Sequence, residues 1–395
     1  MDEGTPIGQR IHYWRKRRGL TQAVLANRVG RSKSWLTKVE RGERVMDSIS
    51  VLLKLADELR VEPGDLIGEF RLPPNGGARL SPPRGVPAVR RALFMPMPDE
   101  DVPDGAELRA NVERAIQLDG AGSYEALALI LPELLAASRA AAARELPGGW
   151  WCLAGAYQAT AGLAHTLRVL DLQLTCADRA IAAAERSGDP LMVAVSRRWL
   201  ANALMRQGLL DDAGAVCSDA ADAIAPNDAT SRAEWSVWGA LQLVAADAAA
   251  RSGDVAGAWR LLRDARAAAE RVGPGHNDYW QAFGPASVGA NETGVAWESG
   301  DPVEALRIAD RIDVLQLPTK WRRARFLMDV AHAHGLREDD VATVAVLLEA
   351  ERHAPEVVRY RFETHELVRV CLNREQRSRT PGLRGLAERI GVLQG

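Results

Sequence analysis

Residues Gly30–Arg44 read GRSKSWLTKVERGER, with five basic residues, two acids and one large aromatic, Trp35. Such a stretch is either a solvated charged helix or a helix that reads something. The segment before it, TQAVLANRVG (Thr21–Gly30), decides. Thr21 suits an N-cap, and Gly30 a helix stop. Ser32 caps the following helix, which runs to Glu40 and halts at Gly42. Leu25, Ala26 and Val29 on the first helix and Leu36 and Val39 on the second form facing apolar stripes. Those stripes pin two short helices at a fixed angle, so the basic side chains are presented in a set geometry.

Working outward, Ile7–Arg18 reads as a basic amphipathic helix ended by Gly19. SISVLLKLADEL is an apolar fourth helix from Ser48, and EPGDLIGEF a short fifth. Residues 1–70 are thus a five-helix domain. Residues 71–104 hold eight prolines and three glycines, which predicts a linker with at most a short helix in PAVRRALF. From residue 105 to 395, helical runs alternate with Gly, Asp or Pro breaks. The fold class expected is all-α, a helical-repeat solenoid following a small helical domain.

One turn recurs in that second part: GLLDDA at 208, GDVAGA at 253 and GDPVEA at 300. Each places glycine five residues before alanine. The spacings of 45 and 47 residues exceed the roughly 34 of an ideal tetratricopeptide unit. Glycine fits the tight turn, and alanine lets the second helix approach the first. GLREDD at 335 reads as a degenerate fourth turn. RVLDLQLTCADRAIAAAERSGDP reads as the second helix of an earlier unit that lacks the glycine.

Charge separates the two parts. Residues 7–44 hold 11 basic and 2 acidic side chains, or +9, on a chain of net charge −2, so the remainder carries −11. A compact positive domain on an acidic body is the footprint of nucleic-acid binding. A hydrophobic content of 47% with 26% charged residues fits a soluble globular protein. No signal peptide and no uninterrupted apolar span are read, and the four cysteines lack CxxC spacing. A cytoplasmic protein with reduced thiols and no membrane contact is expected.

The N-terminal pattern resembles the Xre/lambda-repressor-like helix-turn-helix family. Thr21, Gln22, Leu25, Ala26, Gly30, Glu40 and Gly42 carry the resemblance. It implies that the helix from Lys33 enters a major groove. Lys33, Ser34, Thr37 and Lys38 would then face base edges. Gln22, Arg41 and Arg44 would contact phosphates, with Trp35 reaching the backbone or packing in the core. The resemblance also implies an Arg15–Glu40 pair bracing the domain, and a homodimer on a palindromic double-stranded DNA operator.

The second part resembles the tetratricopeptide-like sensor domains of bacterial regulators, including receptors for signalling peptides. Arg198, Asn202 and Arg206 share one helix face at i, i+4 and i+8, and the repeat register turns it inward. Asp247 and Arg251 correspond in the next unit, near Trp238 and Gln242. HNDYWQAFGP gathers Asn277, Tyr279, Trp280 and Phe283. An apolar, aromatic pocket with a few polar groups is expected there, suited to a small-molecule or peptide signal. The competing expectation is a groove that docks a partner protein.

No G-x-S-x-G, P-loop or H-E-x-x-H occurs. His332 and His334 diverge around a helix, so neither a metal site nor a cofactor nor an enzyme is expected.

Overall fold

The computed structural model describes residues 7–44, 49–59, 61, 66, 83–95, 103–227, 229–374 and 380–393, and every regular element in them is helical. The N-terminal domain contains α1 (Ile7–Arg17), α2 (Gln22–Arg28), α3 (Lys33–Glu40) and α4 (Ile49–Leu59). Both anticipated caps are made. Thr21 Oγ1 accepts from the Val24 amide at 3.2 Å, and Ser32 Oγ from the Trp35 amide at 3.1 Å. Ile11, Leu25, Leu36, Leu55 and Leu59 have no exposed surface. Each such side chain supplies roughly 1.5–3 kcal/mol of burial free energy. Gly8 lets α1 cross the end of α3, because a Cβ there would stand 2.0 Å from the Val39 carbonyl oxygen. Most of the predicted fifth helix, residues 62–70, lies outside the described residues, as does linker segment 71–82.

The helical body starts earlier than the sequence reading places it. Helix α5 (Val86–Phe94) packs on α7 (Tyr124–Ala143), and Val89, Ala92 and Leu93 are buried in the main core. Residues 83–95 therefore belong to the body rather than to a linker. The apolar i, i+3, i+4 pattern of VPAVRRALF outweighs its single proline, which sits in the first turn where its missing N–H costs nothing.

From α6 (Gly105–Ala121) onward, helices pair as α6/α7, α8/α9 (Gly149–Leu167, Leu170–Ser187) and α10/α11 (Pro190–Arg206, Leu210–Ala223). The pairs α12/α13 (Arg232–Ser252, Val255–Val272), α14/α15 (Pro285–Glu298, Pro302–Ala309) and α16/α17 (Lys320–Leu336, Asp340–His353) follow. Helices α18 (Pro355–Tyr360), α19 (Phe362–Asn373) and α20 (Leu383–Arg389) end the chain. The first helices of successive pairs stack on one another as an inner layer, α6 through α16, with their partners outside.

That inner layer turns until it meets itself. Helix α16 packs on α6, and α18 reaches α8. Glu356 on α18 closes the seam by accepting the Tyr124 and Glu125 amides at 2.7 and 3.0 Å, acting as a remote cap for α7. Helix α7 is long and apolar enough to cross a membrane, but it carries Pro132 within it and most of its leucines are buried in the core.

Six turns join first helix to second, and each has one left-handed residue: Gly122, Arg168, Gly208, Gly253, Gly300 and Glu338. Three are the glycines read from the sequence. The fourth expected turn is displaced: Gly335 lies inside α16, and Glu338 takes the left-handed position at φ 62°. Arg168 does the same, at φ 57°, in the unit that lacks a glycine. Aligned on these residues, Glu338 precedes Thr343 by the five positions that separate glycine from alanine elsewhere.

Candidate functional site

Helix α3 presents Lys33 and Ser34 fully outward at its first turn. Thr37 and Lys38 are half-buried one turn later. The Thr37 hydroxyl lies 2.9 Å from the Lys33 carbonyl and 3.1 Å from Gln22 Oε1, so its single proton is used inside the domain.

Behind this face is a charged core. Arg15 donates to both oxygens of Glu40, from Nε at 2.5 Å and from Nη2 at 2.8 Å. Gln22 Nε2 donates to the same carboxylate at 2.9 Å, and His12 Nδ1 lies 2.9 Å away. Burial alone would raise the Glu40 pKa, but the hydrogen bonds from Arg15, Gln22 and His12 hold it below the usual carboxylate range.

The structure bears on two of the expected contacts. Gln22, read as a phosphate contact, is engaged at both ends of its amide, with Glu40 and Thr37. Trp35, left open between the DNA backbone and the core, is 6% exposed and belongs to the domain core. Its ring is covered by the Arg31 guanidinium 5.7 Å from the centroid. The N-cap at Ser32 turns the third helical position inward, which the sequence alone did not resolve. Arg41 is exposed, 3.7 Å from Glu43, whereas Arg44 is half-buried.

The outward face of α3 also meets the helical body. Lys38 Nζ donates to Glu338 Oε1, in the α16–α17 turn. This bond, with further attraction from Lys38, Arg374 and Arg44, keeps the Glu338 carboxyl below its ordinary pKa. Arg31 approaches the neighbouring Gly300 turn, and α4 packs on α12. The N-terminal domain therefore sits along the edge formed by the repeat turns.

Inside the body, the inner helices hold charges rather than an aromatic pocket. Arg206, from the predicted stripe, donates to Glu363 Oε1 at 3.2 Å, as does Arg168. Arg251 pairs with Glu298 at 2.9 Å, and Asp247 accepts from Asn291 at 3.2 Å. Arg322 bridges Asn291 and the Gln281 carbonyl at 3.1 and 3.3 Å. Arg325 pairs with Asp329 at 2.8 Å.

Desolvation dominates this interior. It pushes the Asp119 carboxyl up to about 7 against the pull of Arg198, and Asp247 up to about 6. It lowers Arg198 to about 10. It lowers Arg206 to about 9, and holds His165 neutral well below the ordinary imidazole range.

The polar half of the expected ligand set thus lies on the inner layer of helices, with Asn202 bonded back to the Arg198 carbonyl at 3.0 Å. The aromatic half is not gathered there. Phe283 is 1% exposed and fills the space above Gly239, where a Cβ would stand 2.1 Å from its ring. Trp238 packs edge-on against Trp235 between two core clusters, and Trp280 leans on Trp151. Asn277 Oδ1 accepts the Ala282 amide at 2.7 Å, bracing a loop whose Tyr279, Trp280 and Ala282 all have positive φ. Gln242 is half-buried on α12.

Arg322, Arg325, Arg361, Glu363 and Asp119 were missed by the sequence reading. For two of them a signal was present in KWRRARFLMD, where Arg322 and Arg325 share one helix face with Asp329. His332 stacks on Trp297 with centroids 4.7 Å apart, and His334 points instead toward Asp339, 3.9 Å away.

Comparison with known proteins agrees with the first of these two regions. No curated protein matches the chain. Among solved structures, the crystal structure of Bacillus thuringiensis PlcR in complex with the peptide PapR7 and DNA is similar over 84% of this chain and 97% of that one. Its identity is 13% and its TM-score 0.35. A family profile described as a helix-turn-helix domain matches residues 6–70. The N-terminal part of this chain, which buries the Arg15–Glu40 pair and displays Lys33 and Ser34, is a helix-turn-helix domain.

Proposed function

We propose that the chain is a sequence-specific, DNA-binding transcription regulator that acts in the cytoplasm as a homodimer. In this reading α3 enters the major groove of an operator. Lys33 and Lys38 select guanine edges through O6 and N7, Ser34 and Thr37 add less selective contacts, and Arg41 and Arg44 hold phosphates. The helical body senses a small-molecule or peptide signal through its polar inner channel and modulates operator binding.

The observation that carries this reading is the ion pair between Lys38 of the reading helix and Glu338 of the body. A side chain that this reading assigns to a base edge is held by the domain that would sense the signal. Any signal that binds better when this contact is open shifts the population toward the DNA-competent arrangement. No constellation for catalysis enters the proposal.

The test is operator selection from a random duplex pool, followed by binding of the Lys33→Ala/Lys38→Ala variant to the selected and a scrambled site. Loss of discrimination with an unchanged far-ultraviolet spectrum is expected. Equal discrimination by variant and wild type would reject the groove assignment.

A further inference from the structure

Three guanidinium groups converge on one carboxylate near the seam of the helical body. Arg168 and Arg206 each donate to Glu363 Oε1 at 3.2 Å, and Arg361 Nε lies 3.7 Å from Oε2. Glu363 Oε2 and Arg361 Nε are buried without a hydrogen-bond partner. The grouping carries an excess of two positive charges before its neighbours are counted. His165, 3.4 Å from Arg206, adds no further positive charge, because burial keeps it neutral. Trp321, Tyr360 and Phe362 wall the cleft, and about 10 Å³ is left beside the carboxylate, room for about one water.

Two features set this cluster apart from an ordinary structural ion pair. Arg168 occupies the left-handed turn position that is glycine in four of the six equivalent turns, a backbone cost accepted where the side chain is needed. Glu363 lies in the first turn of α19, just after the extended Arg361 that joins it to α18. Its carboxylate therefore enters the arginine cluster on a short junction between two helices, not from the inner layer itself.

We infer that Arg168, Arg206 and Arg361 form an oxyanion-binding site, and that Glu363 occupies it as an internal stand-in for the carboxylate or phosphoryl group of an acidic ligand. The guanidinium fork matches either group, so an entering oxyanion replaces the Glu363 contacts one for one. Displacement of Glu363 frees the start of α19. This deepens the sensing role proposed above and rests on it for its regulatory meaning, but the binding event is separable from DNA.

The experiment uses the full chain without DNA. Thermal unfolding of wild type, Glu363→Gln and Arg206→Gln is followed in citrate, in inorganic phosphate and in potassium chloride at matched ionic strength. Glu363→Gln leaves three partly buried cations facing a neutral amide, and a loss of at least about 5 °C in chloride is expected. Citrate or phosphate should restore most of that loss, at a concentration at least tenfold lower than wild type needs for any rise. Arg206→Gln should respond to neither anion.

A larger restoration by citrate assigns a carboxylate ligand, and a larger restoration by phosphate a phosphoryl one. Equal melting temperatures in anion and chloride for both wild type and Glu363→Gln would overturn the site. If Glu363→Gln does not fold in chloride, recovery of soluble folded protein on refolding into citrate or phosphate replaces the melting curve, and no recovery overturns the site. Anion binding that leaves operator affinity unchanged would instead overturn the sensing role while sparing the site.

Discussion

At the scale of single residues, the N-terminal domain depends on a carboxylate that three side chains approach. Arg15 is 4% exposed and Glu40 6%, so neither charge has water to fall back on. Removing Glu40 strands a buried guanidinium. Glu40→Ala is expected to cost about 3–5 kcal/mol of domain stability, measured by urea unfolding. The pH dependence has a definite sign. Because the folded Glu40 pKa is depressed, its stabilisation is complete above the ordinary glutamate value and is lost as pH falls through the lower folded value. The gap between wild type and Glu40→Ala should therefore close below about pH 4, and a gap that stays constant down to pH 2 would refute the ionised pair. The Arg15–Glu40 partnership was implied by the resemblance to the helix-turn-helix family, and the structure makes it. The placement of Gln22 and Trp35 was not legible, since their sequence positions fit both an inward and an outward side chain. Only the crossing of α2, α3 and α4 decides between them.

At the scale of elements, the repeat turns were legible because glycine is the residue that adopts positive φ without strain. Where Arg168 and Glu338 take that conformation instead, the same turn is invisible to a glycine search. For this reason the α8/α9 unit was read only through its second helix, and the last turn was placed three residues early, at Gly335 rather than Glu338. The inner stripe was legible from helical spacing, but its occupant chemistry was not. Aromatic residues in a solenoid serve the spaces between helices, and which of them face the channel depends on helix rotation. Phe283 shows the consequence. It seats its ring on α12 in the gap left by Gly239, with a missing Cβ as its only clearance. Gly239→Ala adds a methyl to a filled space and should cost about 1–3 kcal/mol through overpacking, despite the better helix propensity of alanine. Urea denaturation of the variant measures this directly. A stability gain of about 1 kcal/mol, the value propensity alone would give, would mean that Phe283 does not rest there.

At the scale of the whole molecule, the two parts are joined by an ion pair weak enough to open. Lys38 and Glu338 have side chains 37% and 48% exposed, which places their bond among surface pairs of about 0.2–1 kcal/mol. Such a contact biases an equilibrium and does not lock it, as a signal-responsive contact must. Glu338→Gly removes the carboxylate and suits the left-handed backbone at φ 62°. Relief of strain offsets the greater freedom of glycine in the unfolded chain, so stability should change by less than about 1 kcal/mol. Operator affinity, however, should rise about 1.5- to 5-fold, the pair energy expressed as an equilibrium ratio. Loss of any acidic charge near DNA also raises affinity through the field alone, so the contact is isolated by a cycle. In a Lys38→Ala background, Glu338→Gly should add nothing if the pair is the cause, and should add the same increment if only the field matters. The first result places Glu338 on the path between channel and operator. The second leaves the reading helix free of the body and sends the search for coupling to the seam between α6 and α16.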